Sequence, residues 1–217
     1  MDRSSVRYGI VALIALVAAS VSCRSATVDR APEIVQPGAP GQSTKVVGAA
    51  KAADLSKVQH TAADVKFMQG MIGHHTQALE MAALLPGRST SENMMLLAKR
   101  IEVSQADEIK MMQDWLQQRG QTLPDPHAHH APGAPLMPGM LSAEEMGRLA
   151  AAKGVEFDRL FLQFMIKHHA GALQMVTELF ASPGAGQEAD IFAFASDVDA
   201  DQRMEIDRMG AMLATLK

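Results

Sequence analysis

The chain has 217 residues, a single cysteine and a formal net charge of -4, with a pI near 6.0. One cysteine excludes an internal disulfide, and the charge balance gives no support for nucleic-acid binding. Sixteen methionines stand against seven Phe, one Trp and one Tyr; such an excess means a soft, adaptable core or a task for thioethers.

Residues 1–23 read as an export signal. Arg3 and Arg7 precede a short apolar run, Ile10 to Ala19, which is too short to span a bilayer as a stable helix. Ser20-Val21-Ser22-Cys23 resembles a lipoprotein processing site, although Ser20 stands where Leu is commonest. Lipidation at Cys23 would tether the protein to a membrane rather than thread it through. Simple cleavage near Ala19 is the alternative. The expected location is outside the cytoplasm, periplasmic or at the cell surface. Residues 24–60 carry a stretch rich in Pro, Gly, Ser and Thr without period, expected as a flexible spacer with no strand.

The helical domain is expected over residues 61–217. A first helix runs from about Thr61 to Leu85 and stops at Pro86-Gly87. Ser89 and Glu92 have capping-box spacing for a second helix, which ends at Gly120. Residues 121–141, with five prolines and His127, His129 and His130, read as a linker between repeats. Ser142 and Glu145 start a third helix, interrupted near Gly154 and resuming to about Ala181. A last helix runs from about Gln187 to Leu216.

The chain repeats itself. Asp64 to Met81 reads DVKFMQGMIGHHTQALEM and Asp158 to Met175 reads DRLFLQFMIKHHAGALQM, with ten of eighteen positions identical. Gln105, Glu108, Ile109 and Met112 likewise correspond to Gln202, Glu205, Ile206 and Met209. Repeat 1 covers residues 61–120 and repeat 2 residues 142–217. Two amphipathic hairpins bury their apolar faces best against each other, so the expected fold is all-α, a four-helix bundle of two tandem helical hairpins.

On a 3.6-residue period, one stripe of the first helix reads Phe67, Met71, His74, Ala78, Met81. Its neighbour contains Met68, Ile72, His75 and Leu79. The third helix repeats both stripes with Met165, His168, Met175 and His169. Buried imidazoles are costly unless hydrogen-bonded or metal-bound. A lone one is usually a satisfied core residue, but packing does not demand adjacent pairs in both halves. Imidazole suits copper, zinc, iron and nickel, and thioether adds a preference for Cu(I). A carboxylate-bridged di-iron site would place Glu three residues before each ligating His; Met71 and Met165 stand there instead. Copper, as Cu(I), is therefore the favoured metal, with zinc and iron left open. Met71, His74, His75, Met81, Met165, His168, His169 and Met175 are the candidate ligands.

Gln105, Glu108, Gln202 and Glu205 fall on otherwise apolar stripes and are candidates to accept histidine ring N–H groups around a metal. Counting back from a hairpin turn near residue 88 places Glu108 nearly two turns from His74, roughly 9 Å at 1.5 Å per residue. His127, His129 and His130 form a candidate secondary site for Cu(II) or Zn(II), or merely a solubilising linker.

The phrase FDRLFLQFMIKHHAGALQM, Phe157 to Met175, with Met137-Pro138-Gly139-Met140-Leu141 upstream, resembles the bacterial domain of unknown function family 305 (DUF305). The resemblance covers roughly Asp64 to Met212. It implies a ferritin-like bundle, secreted or lipid-anchored, often associated with copper resistance, with Met and His residues at the eight positions named above. Gly73 and Gln77 replace Lys167 and Gly171 of the second half, so the surroundings of the two histidine pairs differ. These readings together describe a non-enzymatic copper chelator or metallochaperone with the metal ion as its ligand. A copper transporter or other copper-handling protein is its expected partner, and self-association is left open. A copper or iron oxidase of the ferritin-like class and a metal-free helical interaction module are the alternatives.

Overall fold

A computed structural model describes residues 34–36, 43–52, 58–125, 127–128, 131 and 135–216. The expected export signal, residues 1–23, with Cys23, and His129 and His130 lie outside the described residues. The chain divides into two compact units, residues 1–53 and 54–217.

In the first unit, β1 (Ile34–Gln36) pairs antiparallel with β2 (Lys45–Val47), with Val35 opposite Val46, and a single helical turn, α1 (Ala49–Ala52), follows. The spacer reading expects no strand here. The β-branched residues Ile34, Val35, Val46 and Val47 supply the strand preference that the surrounding Pro and Gly obscure.

The second unit is built from α2 (Ala62–Ala83), α3 (Glu92–Gln118), α4 (Ala143–Ala151), α5 (Gly154–Ala181) and α6 (Ala189–Thr215). It is all-α. Helix α2 packs on α3 and α5 on α6, and the two hairpins meet along an α2–α5 seam. Local chemistry sets the helix ends. Thr61 and Asp64 form a reciprocal capping box at the start of α2, and Ser142 and Glu145 form another at the start of α4. At α3 the expected cap is displaced by two residues. Ser91, not Ser89, accepts from the Met94 N–H, while the Ser89 hydroxyl accepts from the Ser91 N–H. Both serines suit an N-cap, and the closer one takes the role. Gly154, with φ of 59°, makes the break between α4 and α5.

Each hairpin's turn secures the other hairpin. The Asp64 carboxylate accepts from the Gly186 N–H at 2.7 Å, joining the start of α2 to the α5–α6 turn. The Arg88 carbonyl accepts from the Gly154 N–H at 2.6 Å, and the Arg88 Nε donates to the Ala150 carbonyl. At the far end of α3, the Trp115 ring N–H donates to Glu188, and Arg119 stacks over the indole while pairing with Glu188 and Asp190.

The interior divides into two apolar clusters. Met68, Met71, Met112 and Met175 lie in one; Met81, Met94, Met165 and Met209 lie in the other. Each fully buried side chain of this size contributes ~1.5–3 kcal/mol by leaving water. Met71, which precedes His74, thus shares a cluster with Met175, which follows His168, and Met81 shares one with Met165. Helices α2 and α5 therefore run antiparallel, and their crossing is centred on the histidines.

Candidate metal centre

His74, His75, His168 and His169 are all fully buried. Two of them meet across the seam: the His74 and His168 rings stand with centroids 3.8 Å apart and planes inclined by 37°. Within each pair the adjacent rings diverge, with centroids 6.4 Å apart for His74 and His75 and 6.3 Å for His168 and His169. The divergence follows from the helix, where consecutive residues point about 100° apart. The first histidine of each pair faces the opposing repeat. The second faces its own hairpin partner.

Those second histidines each find a carboxylate. His75 Nε2 is 2.6 Å from Glu108 Oε2, and His169 Nε2 is 2.7 Å from Glu205 Oε2. Glu108 also accepts from the Ser104 hydroxyl at 3.1 Å, whereas Glu205 faces Arg100 of the other repeat at 3.4 Å. The expected gap of nearly two turns is counted from His74; the histidine that Glu108 reaches is His75. Side chains on both helices lean toward their own N-termini, and in an antiparallel pair this brings the tips of His75 and Glu108 together from residues offset along the axis. Gln105 and Gln202 are buried but make no hydrogen bond to an imidazole; neither amide atom of Gln105 and not the carbonyl oxygen of Gln202 meets a partner. Of the four polar residues on those stripes, the two glutamates alone reach the histidines.

His74 is held differently. Its Nε2 lies 3.0 Å from the Pro138 carbonyl oxygen. A carbonyl can only accept, so Nε2 carries the proton. The same assignment follows for His75 and His169, whose Nε2 atoms face carboxylates. In the neutral ring the lone pair then sits on Nδ1, the state a metal requires. The Nδ1 atoms of His75 and His169 have no hydrogen-bonding partner.

No side chain anchors His168; its one polar neighbour is the backbone of His74, too poorly placed for a well-formed hydrogen bond. Burial holds its imidazole well below the ordinary value of 6.5; His74, His169 and His75 deepen the depression, and the His74 backbone acts weakly the other way. His168 is therefore a neutral imidazole in an apolar interior, with at most a poor hydrogen bond to the His74 backbone.

Pro138 belongs to a segment that reads as linker but packs into the fold. Met137 to Leu141 lies across the α2–α5 seam. Gln77 clasps it with both amide atoms, donating to the Leu141 carbonyl at 3.0 Å and accepting from the Leu141 N–H at 2.7 Å. On α5 the equivalent position is Gly171. A Cβ there would stand 2.0 Å from the Pro138 oxygen, and one at Gly139 would stand 2.5 Å from the Lys167 oxygen. The departures between the repeats thus have one cause. A single strap crosses two related helices, so one helix supplies an amide clasp and the other supplies space. The strap, Gln77 and Gly171 carry no signal in helical periodicity; the strap is marked by the family resemblance, and Gln77 and Gly171 by the mismatch between the repeats.

The four methionines expected as ligands are all buried, and Met175 alone among them keeps appreciable exposure, at 9%. Among the described residues no group of three or more His, Cys, Asp or Glu side chains converges as a metal site. A metal held by the His74–His168 pair would complete its shell with thioethers, which suits a soft ion. His127 is drawn away to Glu80, with its Nδ1 3.0 Å from Glu80 Oε1.

The family model for the domain of unknown function DUF305 matches residues 64–213. The chain belongs to the DUF305 family. Among solved structures, a DUF305 fragment from Deinococcus radiodurans is 31% identical with a TM-score of 0.61, covering 72% of this chain and 99% of its own. A DUF305 protein from Streptomyces coelicolor is 30% identical with a TM-score of 0.60, covering 70% and 92%. CopM in its Cu(I)-bound form is 27% identical with a TM-score of 0.54, covering 71% and 96%; CopM has also been solved with Cu(II) and with Ag bound. No curated protein is significantly similar to the chain. Among the described residues of this DUF305 protein, no helix is long and apolar enough to cross a membrane.

Proposed function

We propose that the protein binds copper outside the cytoplasm, as a chelator, store or metallochaperone, and that Cu(I) is its principal ion. The observation that carries the reading is the His74–His168 contact. Two imidazoles, one from each repeat, stand ring to ring in a sealed interior, with buried methionines of both repeats on either side. In this reading His74 and His168 belong to one shared centre, and Met71, Met81, Met165 and Met175 supply thioether ligands. His75 and His169, oriented by Glu108 and Glu205, offer Nδ1 toward the metal. The likeness to CopM supports copper as the metal. The signal-like pattern of residues 1–23, ending in Cys23, supports a tethered, extracytoplasmic location; a copper transporter or other copper-handling protein is the exchange partner in this reading. Full burial of all four histidines favours holding an ion over turning over a substrate, because an oxidase needs an open position and substrate access.

The test is anaerobic titration with Cu(I) against a competing chromogenic chelator, comparing wild type with the His74, His75, His168 and His169 to Ala variant. Tight binding lost in the variant supports the reading. Equal binding in both moves the site to the linker or surface, and no binding in either removes Cu(I) as the ligand.

A further inference from the structure

We propose that the outer face of α3 docks a second copy of this chain, α3 against α3, antiparallel about a two-fold axis at the level of Ile101. Glu92, Leu96, Lys99, Val103, Ala106 and Lys110 are all exposed. They follow one another in alternating four- and three-residue steps, the spacing of a seam between paired helices. Leu96 is 63% and Val103 50% exposed. Beside the seam Met95, 47% exposed, borders a groove of about 710 Å³ between α2 and α3, lined also by Leu79, Ala82 and Leu85. Contiguous apolar surface of this kind marks a contact with another molecule.

The hairpin itself does not require this seam. By the correspondence that sets Gln105 against Gln202, the counterparts of Leu96, Lys99, Val103 and Ala106 are Ala193, Ser196, Ala200 and Arg203. Arg203 is held by Asp199 at 2.8 Å. The second hairpin thus folds with small and polar residues where the first exposes Leu and Val. The order of charges along α3 selects the occupant. Opposed head to tail about Ile101, Glu92 faces Lys110 of the other copy, Leu96 faces Ala106, and Lys99 faces Val103 beside Glu102. Two-fold symmetry repeats each contact. Unlike charges meet at both ends and near the centre, and a bulky residue meets a small one between them. A parallel pair would instead set Lys99 against Lys99 and Lys110 against Lys110, which like charge opposes. The present partners of these lysines are neighbours on the same helix, Glu102 at 3.2 Å and Asp114 at 2.6 Å. Such exposed pairs hold weakly and exchange readily.

The test uses the full chain, metal-free and reduced so that Cys23 forms no bridge. Sedimentation equilibrium should show a monomer–dimer exchange in the micromolar range, as suits a small interface. Glu92 and Lys110 lie about 27 Å apart along one helix at 1.5 Å per residue. A zero-length carbodiimide link between them therefore forms only between copies. Mixing 14N and 15N protein should yield that link in peptides of mixed isotope. Val103→Glu should abolish both the dimer and the link. Lys99→Glu should weaken association by about tenfold, and adding Glu102→Lys to it should restore the wild-type affinity. These positions are on the surface, so the variants leave the core intact. A monomer throughout the micromolar range, which would leave the face to a different protein, would overturn the proposal. So would a dimer that survives Val103→Glu or that never yields the Glu92–Lys110 link.

Discussion

His74 and His168, the first histidine of each repeat, face one another across the α2–α5 seam with ring centroids 3.8 Å apart. The contact joins the two halves of the chain at one point, so the halves are expected to act as one unit. His74→Ala and His168→Ala should each remove most of the copper affinity, and the double variant should lose little more. Chelator competition on the three variants measures this non-additivity; losses that simply add would show two independent sites.

His168 is buried without a well-formed hydrogen bond, and leaving such a group unsatisfied costs ~1–3 kcal/mol. Replacing it by Leu, of similar bulk, should therefore stabilise the metal-free protein by about 1 kcal/mol while abolishing its share of metal binding. Thermal and urea unfolding of the metal-free proteins check the sign. A less stable His168→Leu protein would mean that the imidazole has a structural role.

Acid should destabilise the metal-free protein. Burial depresses the folded pKa of His168 below its ordinary 6.5, so the unfolded chain binds this proton first. The stability contributed by neutral His168 is complete above pH 6.5 and is lost as pH falls from there through the folded pKa. The slope approaches ~1.4 kcal/mol per pH unit for one proton. The unfolding midpoint in denaturant, followed from pH 8 to 5, should show this loss in wild type and less of it in His168→Leu.

Glu108 and Glu205 hold the second histidines by their Nε2 atoms. Glu108→Gln and Glu205→Gln should each weaken copper binding about 10–100-fold with little change of fold. The Glu205 change should also cost more stability, because it leaves Arg100 without its counter-charge across the repeats. Chelator competition beside circular dichroism separates the two effects.

The strap offers a steric test. Gly171→Ala would drive a methyl group into the Pro138 carbonyl, and the expected cost is about 2–3 kcal/mol. Urea unfolding measures it. The equivalent change in the first repeat, Gln77→Ala, removes the clasp without a clash and should cost less.

Much of this architecture is legible in the sequence, for identifiable reasons. The duplicated Met-x-x-His-His phrase fixes two related helices, and the Ser142–Glu145 box and Gly154 mark helix ends that the structure keeps. The misses are tertiary. Ser89 and Ser91 are equally good caps in isolation, and only the chain path selects Ser91. The reach of Glu108 to His75 depends on side-chain lean and on the register of the two helices, which no periodicity encodes. The Met137–Leu141 strap has the composition of a linker, because glycine and proline serve a tight crossing as well as a loose one. Its traces in the sequence are the Met137–Leu141 phrase within the family resemblance and the exchange of Gly171 for Gln77 between the repeats.

The central claim is a soft-metal centre made jointly of imidazole and thioether. X-ray absorption at the copper edge of the anaerobically loaded, full-length protein tests it most directly. The account predicts nitrogen scatterers with the multiple-scattering pattern of imidazole together with sulfur scatterers, and loss of the imidazole pattern in the His74→Ala/His168→Ala variant. A shell without sulfur, or one unchanged in that variant, would contradict it.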